Sequence, residues 1–115
     1  MQRNEMIGRT KQFALRIIKL VSALPSTQVA RTIGNQLLRS GTSIGANYRE
    51  ASRASTKKHF TSILTIALRE ADETQYWLEL LSESGVVKIQ RIEDLSRECS
   101  ELVAILTASV RTANG

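Results

Sequence analysis

The chain has 115 residues and a mass of 12.8 kDa, with one proline, six glycines, one cysteine and a net charge of +5. A chain of this length buries roughly two-thirds of its unfolded surface, which suffices for one core and a single domain spanning residues 1–115. Few glycines, prolines and aromatics argue against a loop-rich or all-β protein, and the lone Cys99 excludes an intrachain disulfide and CxxC-type metal sites.

No apolar run reaches the roughly 18 residues that a transmembrane helix needs. The opening MQRNEMIGRTKQ is too polar for a secretory signal, so a soluble, reducing, cytoplasmic setting is the expectation. From Thr10 to Leu24, Phe13, Ile17, Leu20 and Leu24 recur at three- and four-residue spacing, which predicts an amphipathic helix. Pro25 stops it, and Ser26 or Thr27 can cap the next. The second pattern runs through Val29, Ala30, Ile33, Leu37, Leu38, Ile44 and Tyr48. Ser52 to Thr56 offer N-caps for a third helix, KKHFTSILTIALREADETQYWLELLSESG, with Gly85 at its C′ position. A fourth helix follows, with Ile92, Leu95, Cys99, Leu102, Leu106 and Val110 on one face and Glu93 and Asp94 favouring its N-terminal dipole. Four amphipathic helices with short connections predict an all-α, up-and-down four-helix bundle. In YWLELL, Tyr76, Trp77, Leu78, Leu80 and Leu81 surround the third helix. A helix apolar nearly all round is buried on more than one side, so homo-oligomerisation through Tyr76, Trp77 and Leu80 is expected.

The second helix contains RSGTSIGANYREA, and its Gly41 and Gly45 each weaken a helix by about 1 kcal/mol relative to alanine. A phosphate loop would require GxxxxGK[ST] after a strand, which is absent. A hinge would break the helical phase, yet Ile44 and Tyr48 stay in phase with Leu37. Close packing fits best: Ser40, Gly41, Ser43, Gly45 and Ala46 let another helix approach, or leave room for a bulky residue such as Trp77.

No catalytic constellation stands out. Asn47 and Glu50 read as an inward-leaning hydrogen-bonded pair, and Glu70 with Glu73 could seed a carboxylate cluster. A ferritin-like metal site, however, needs Glu-x-x-His, and the single histidine, His59, lies beside two lysines near a helix start. No enzyme activity, metal or cofactor is therefore expected.

Charge is distributed unevenly. Residues 1–69 hold 12 Lys/Arg against Glu5 and Glu50, a balance of +10, and residues 70–115 hold four against nine Asp/Glu, a balance of −5. Arg49, Arg53 and Lys57 are spaced i, i+4, i+8, with Lys58 and His59 adjoining, so an unbroken helix would carry them as a basic ridge. Arg9, Lys11, Arg16 and Lys19 supply a second basic face on the first helix. Such faces suit phosphate contact, and no base-reading motif accompanies them. Membrane-surface binding by the first helix ranks last, because the core needs its apolar stripe.

QLLRSGTSIGANYREA (36–51) and FTSILTIALREADETQYWLELL (60–81) resemble the signature of the 23S rRNA intervening-sequence proteins, four-helix bundles whose fold is shared by the accessory variability proteins of diversity-generating retroelements. The resemblance runs from the first helix to the fourth. Tyr48 stands where a smaller aliphatic is expected, and Ala51 where glycine is frequent. The resemblance implies a homopentamer. Through the accessory variability branch it also implies binding of nucleic acid and of a reverse transcriptase. The combined expectation is a non-enzymatic bundle that binds structured RNA or DNA through Arg49, Arg53, Lys57, Lys58, Arg16 and Lys19, the alternative being a module that docks on a protein partner.

Overall fold

The computed structural model describes residues 2–115. Four helices, α1 (Arg3–Ser22), α2 (Gln28–Ser52), α3 (Lys57–Glu83) and α4 (Glu93–Asn114), form a rod of 45 × 19 × 19 Å, with a 3₁₀ turn at Ile89–Arg91 before α4. α1 packs on α2, α2 on α3 and α3 on α4, and a looser contact between α4 and α1 closes the bundle. The first helix begins seven residues earlier than the apolar stripe from Thr10 predicts. Met6 extends that stripe by one turn and is buried, so Arg3–Arg9 continue the helix.

The buried positions explain the near-parallel packing. They are Met6, Thr10, Phe13, Ile17 and Leu20 on α1, and Ala30, Gly34, Leu37, Gly41, Ile44, Tyr48 and Ala51 on α2. On α3 and α4 the runs Leu64–Ala67–Ala71–Thr74–Leu78–Leu81 and Leu95–Cys99–Leu102–Leu106 repeat the pattern. Alternating steps of three and four residues keep one seam turned inward, the geometry of left-handed bundles with crossings near 20°. Thr27 and Thr56 are the residues selected as N-caps. Their hydroxyls accept from the backbone N–H of Ala30 and His59, both at 3.1 Å. Gly85 ends α3 at φ +81°, a left-handed conformation that costs any residue with a Cβ.

Gly41 and Gly45 serve the contact with α1. A Cβ on Gly41 would lie 3.0 Å from both Cγ atoms of Ile17, and one on Gly45 would lie 3.1 Å from the Thr10 hydroxyl. Trp77, the other candidate to fill that space, is on α3 and half-buried, its indole N–H donating to Glu73 at 3.3 Å. Gly41 and Gly45 thus pack against α1 within the chain, whereas Ala46 is exposed. Gly8 is the contrasting case, exposed in mid-helix with nothing within 4 Å of an added Cβ. Gly8→Ala is expected to stabilise the protein by about 1 kcal/mol, a rise in Tm of roughly 4–8 °C, measurable by thermal melting.

Two polar features join helices inside the bundle. The buried hydroxyls of Ser40 on α2 and Thr74 on α3 lie 3.0 Å apart, and Thr74 also donates to the Glu70 carbonyl at 2.7 Å. Cys99 is fully buried, with its thiol 3.3 Å from the Ala71 carbonyl. Burial, reinforced by Asp72 and Glu98, pushes that thiol up to about 12. Iodoacetamide should therefore leave the folded protein unmodified at pH 8 and alkylate Cys99 in urea. Because the folded thiol holds its proton above the unfolded value, stability should fall as pH rises beyond about 9.

Candidate nucleic-acid interface

Antiparallel packing gathers the start of α1, the end of α2, the start of α3 and the end of α4 at one end of the rod. Arg49 lies in the last turn of α2, Arg53 caps it, and Lys57 and Lys58 open α3. The continuous ridge expected from their spacing does not form. α2 stops at Ser52, because the chain must turn back before α3, and Ala54 to Thr56 make the corner. The cations therefore border a corner, where loop residues separate Arg49 and Arg53 from the two lysines.

Arg3 fastens this corner. Its guanidinium lies 4.7 Å over the Phe60 ring and donates to the Ser52 carbonyl at 3.4 Å, joining the N-terminus of α1 to the α2–α3 turn. Its positive charge also opposes the rise that burial imposes on the Tyr48 phenol. On the far side, Lys57, Lys58, Thr61 and Ser62 share an open groove with Ala113 and Asn114, next to Arg111 in the last turn of α4. Sequence spacing singled out neither Arg3 nor Arg111, since each reaches the corner only through the antiparallel topology.

The electrostatics of the corner are unusual. Lys57 and Lys58 occupy the first turn of α3, which holds no acidic residue. Cations there oppose the helix dipole at a cost of about 0.3–1 kcal/mol each. Among the described residues, none of Arg49, Arg53, Lys57 and Lys58 forms an ion pair. Midway along the rod two arginines are neutralised. Arg9 holds Glu98 through two 2.7 Å bonds and Glu101 at 2.9 Å, which keeps its guanidinium protonated beyond the usual range despite partial burial. Arg9 is thus a strut between α1 and α4 and leaves the second basic face. Arg39 bridges Glu70, at 3.0 Å, and Glu73. Those two carboxylates form a surface ion-pair network and not an interior cluster. Glu50 points to solvent, whereas Asn47 donates to the Ser43 carbonyl at 2.8 Å, so the expected Asn47–Glu50 pair is absent.

Arg16 and Lys19 lie well away from the corner, at the other end of α1. They line a groove between α1 and α4 with Leu20, Leu95, Asp94 and Arg91, the last contributed by the 3₁₀ turn. His59 is exposed. Among the described residues, no group of His, Cys, Asp and Glu could hold a metal ion, and no helix is long and apolar enough to cross a membrane. Tyr76 is 53% exposed and stacks edge-on against the half-buried Trp77, with Leu80 half-buried one turn on.

The 23S rRNA-intervening sequence protein family model matches residues 2–108. A crystal structure of a protein of unknown function from the S23 ribosomal protein family of Bacteroides thetaiotaomicron VPI-5482 is 38% identical and superposes with a TM-score of 0.89, over 96% of this chain and 99% of that one. No curated protein matches the chain. Matched over residues 2–108, the chain belongs to the 23S rRNA-intervening sequence protein family.

Proposed function

We propose that this protein is a non-enzymatic, cytoplasmic module that binds the phosphate backbone of structured RNA or DNA through its basic corner and assembles as a homopentamer. The observation that carries the reading is the placement of Lys57 and Lys58. They stand against the dipole of α3, beside Arg49 and Arg53, with no carboxylate to neutralise them. Charges held where they weaken the fold call for an anion from outside the chain. Assembly is supported by the apolar surface of α3 at the exposed Tyr76 and the half-buried Trp77 and Leu80, and the number five comes from the family resemblance.

Binding of a fluorescent RNA hairpin and of a DNA duplex across a salt series tests the reading. Phosphate contact requires log affinity to fall linearly with log salt, by about 0.9 per phosphate neutralised on a duplex. The same α3 surface favours a second reading, docking on a protein partner such as a reverse transcriptase, for which a largely apolar interface would respond little to salt. Absence of nucleic-acid binding at physiological salt would leave that second reading standing alone.

A further inference from the structure

We infer that the groove between α1 and α4 is a second phosphate-binding site, and that the protein bridges two segments of nucleic acid, one at each end of the rod; this rests on the reading of the basic corner above. Arg16 and Lys19 reach the groove from α1 and Arg91 from the 3₁₀ turn. Three cations delivered by two separate segments repel one another, and among the described residues none has an ion-pair partner. The carboxylate in the wall, Asp94, is engaged by Arg97 at 3.0 Å. The acids in the last turns of α3, Glu79 and Glu83, belong to the helix diagonally across the bundle from α1. The groove can form because α1 and α4 are the loosest neighbours, which leaves Leu20 and Leu95 as an apolar floor between the cations.

Position makes this site independent of the corner. Arg91 precedes α4, and Asn114 at its far end lines the groove with Lys57 and Lys58. The 22 residues of α4 therefore place Arg91 about 30 Å from the corner, and the 13 residues from Arg3 to Arg16 place the near edge of the groove about 20 Å from it, at the rise of an α-helix. Both distances exceed the roughly 8 Å over which charges act at physiological salt. Between them, Arg9 and Arg39 are already neutralised by carboxylates. The rod is a rigid spacer with an unpaired cationic cluster at each end, the layout of a bivalent binder.

The test uses the full chain and two populations of a short blunt DNA duplex, one labelled with an energy-transfer donor and the other with an acceptor. Transfer should appear on adding wild type and vanish at high salt. Because a pentamer presents five corners, the groove is tested with the corner removed: Arg49→Glu/Arg53→Glu/Lys57→Glu should keep a residual, salt-dependent affinity for the duplex, and adding Arg16→Gln/Lys19→Gln/Arg91→Gln should lower that residual affinity about tenfold. Circular dichroism verifies that this variant is folded, and Arg91→Gln added alone should give an intermediate loss. Residual binding that is unchanged by the added substitutions would overturn the inference, because the groove would then contribute no phosphate contact. Wild type that binds one duplex without bridging would overturn it too, and saturable pyrophosphate binding by that protein would assign the groove to a small phosphate compound. Wild type that binds no duplex would overturn the reading of the corner as well.

Discussion

Gly41→Leu is expected to destabilise the protein by about 3 kcal/mol, the upper range for overpacking a close-packed interior. Gly41 occupies a core position of α2 and faces Ile17, which is fully buried. Its would-be Cβ already lies within 3.0 Å of both Ile17 Cγ atoms, and a β-branched side chain in a helix has essentially one rotamer to offer. Relief must then come from moving α1 away from α2, which loosens every contact along that seam. Even Gly41→Ala should destabilise, despite the gain of about 1 kcal/mol in helix propensity that makes Gly8→Ala stabilising. Urea unfolding at fixed protein concentration measures both. Combining Gly41→Ala with Ile17→Ala should cost less than the sum of the two, with a coupling of about 1 kcal/mol or more, since truncating Ile17 makes room for the new methyl. Strict additivity would mean that Gly41 is not there for Ile17.

Charge reversal at the basic corner should have a comparable effect on binding and little effect on the fold. Arg49→Glu/Arg53→Glu/Lys57→Glu is expected to lose about 100-fold or more in affinity for both RNA hairpin and DNA duplex at low salt, and the salt slope should shrink by about 2 to 3. Wild type and variant should converge as salt rises, because only the counterion-dependent contribution has been removed. Lys57→Glu simultaneously places a carboxylate in the first turn of α3, where it favours the helix by about 0.3–1 kcal/mol. Arg49→Glu works the other way in the last turn of α2, so overall stability should change little. Lost binding with an unchanged melt separates a phosphate-contact role from simple unfolding. An unaltered salt slope would remove these residues from the interface.

The helices were legible in the sequence because an amphipathic helix is a local pattern. Phe13, Ile17 and Leu20, or Leu95, Cys99, Leu102 and Leu106, repeat at intervals that only one backbone geometry can turn to a single side, and Pro25 and Gly85 punctuate them. The same reasoning identified Gly41 and Gly45 as packing residues, but not their partner. Whether Trp77 or α1 would fill the space depended on which helices became neighbours, and the structure assigned it to Ile17 and Thr10. Of the proposed interface, the sequence determined the composition: 12 of the 16 lysines and arginines lie in the first 69 residues, and Arg49, Arg53, Lys57 and Lys58 are close along the chain. Tertiary structure decided which of them remain free. Pairing across the bundle joins residues 31 to 92 positions apart, and through it Arg9 and Arg39 were consumed by the acidic half, as nothing in their spacing could indicate. The length of the helices also divided one basic half-sequence between two ends of a rod, since the start and the end of one helix lie at opposite poles. Charge content is written in the chain, but charge that is left unpaired is a property of the fold.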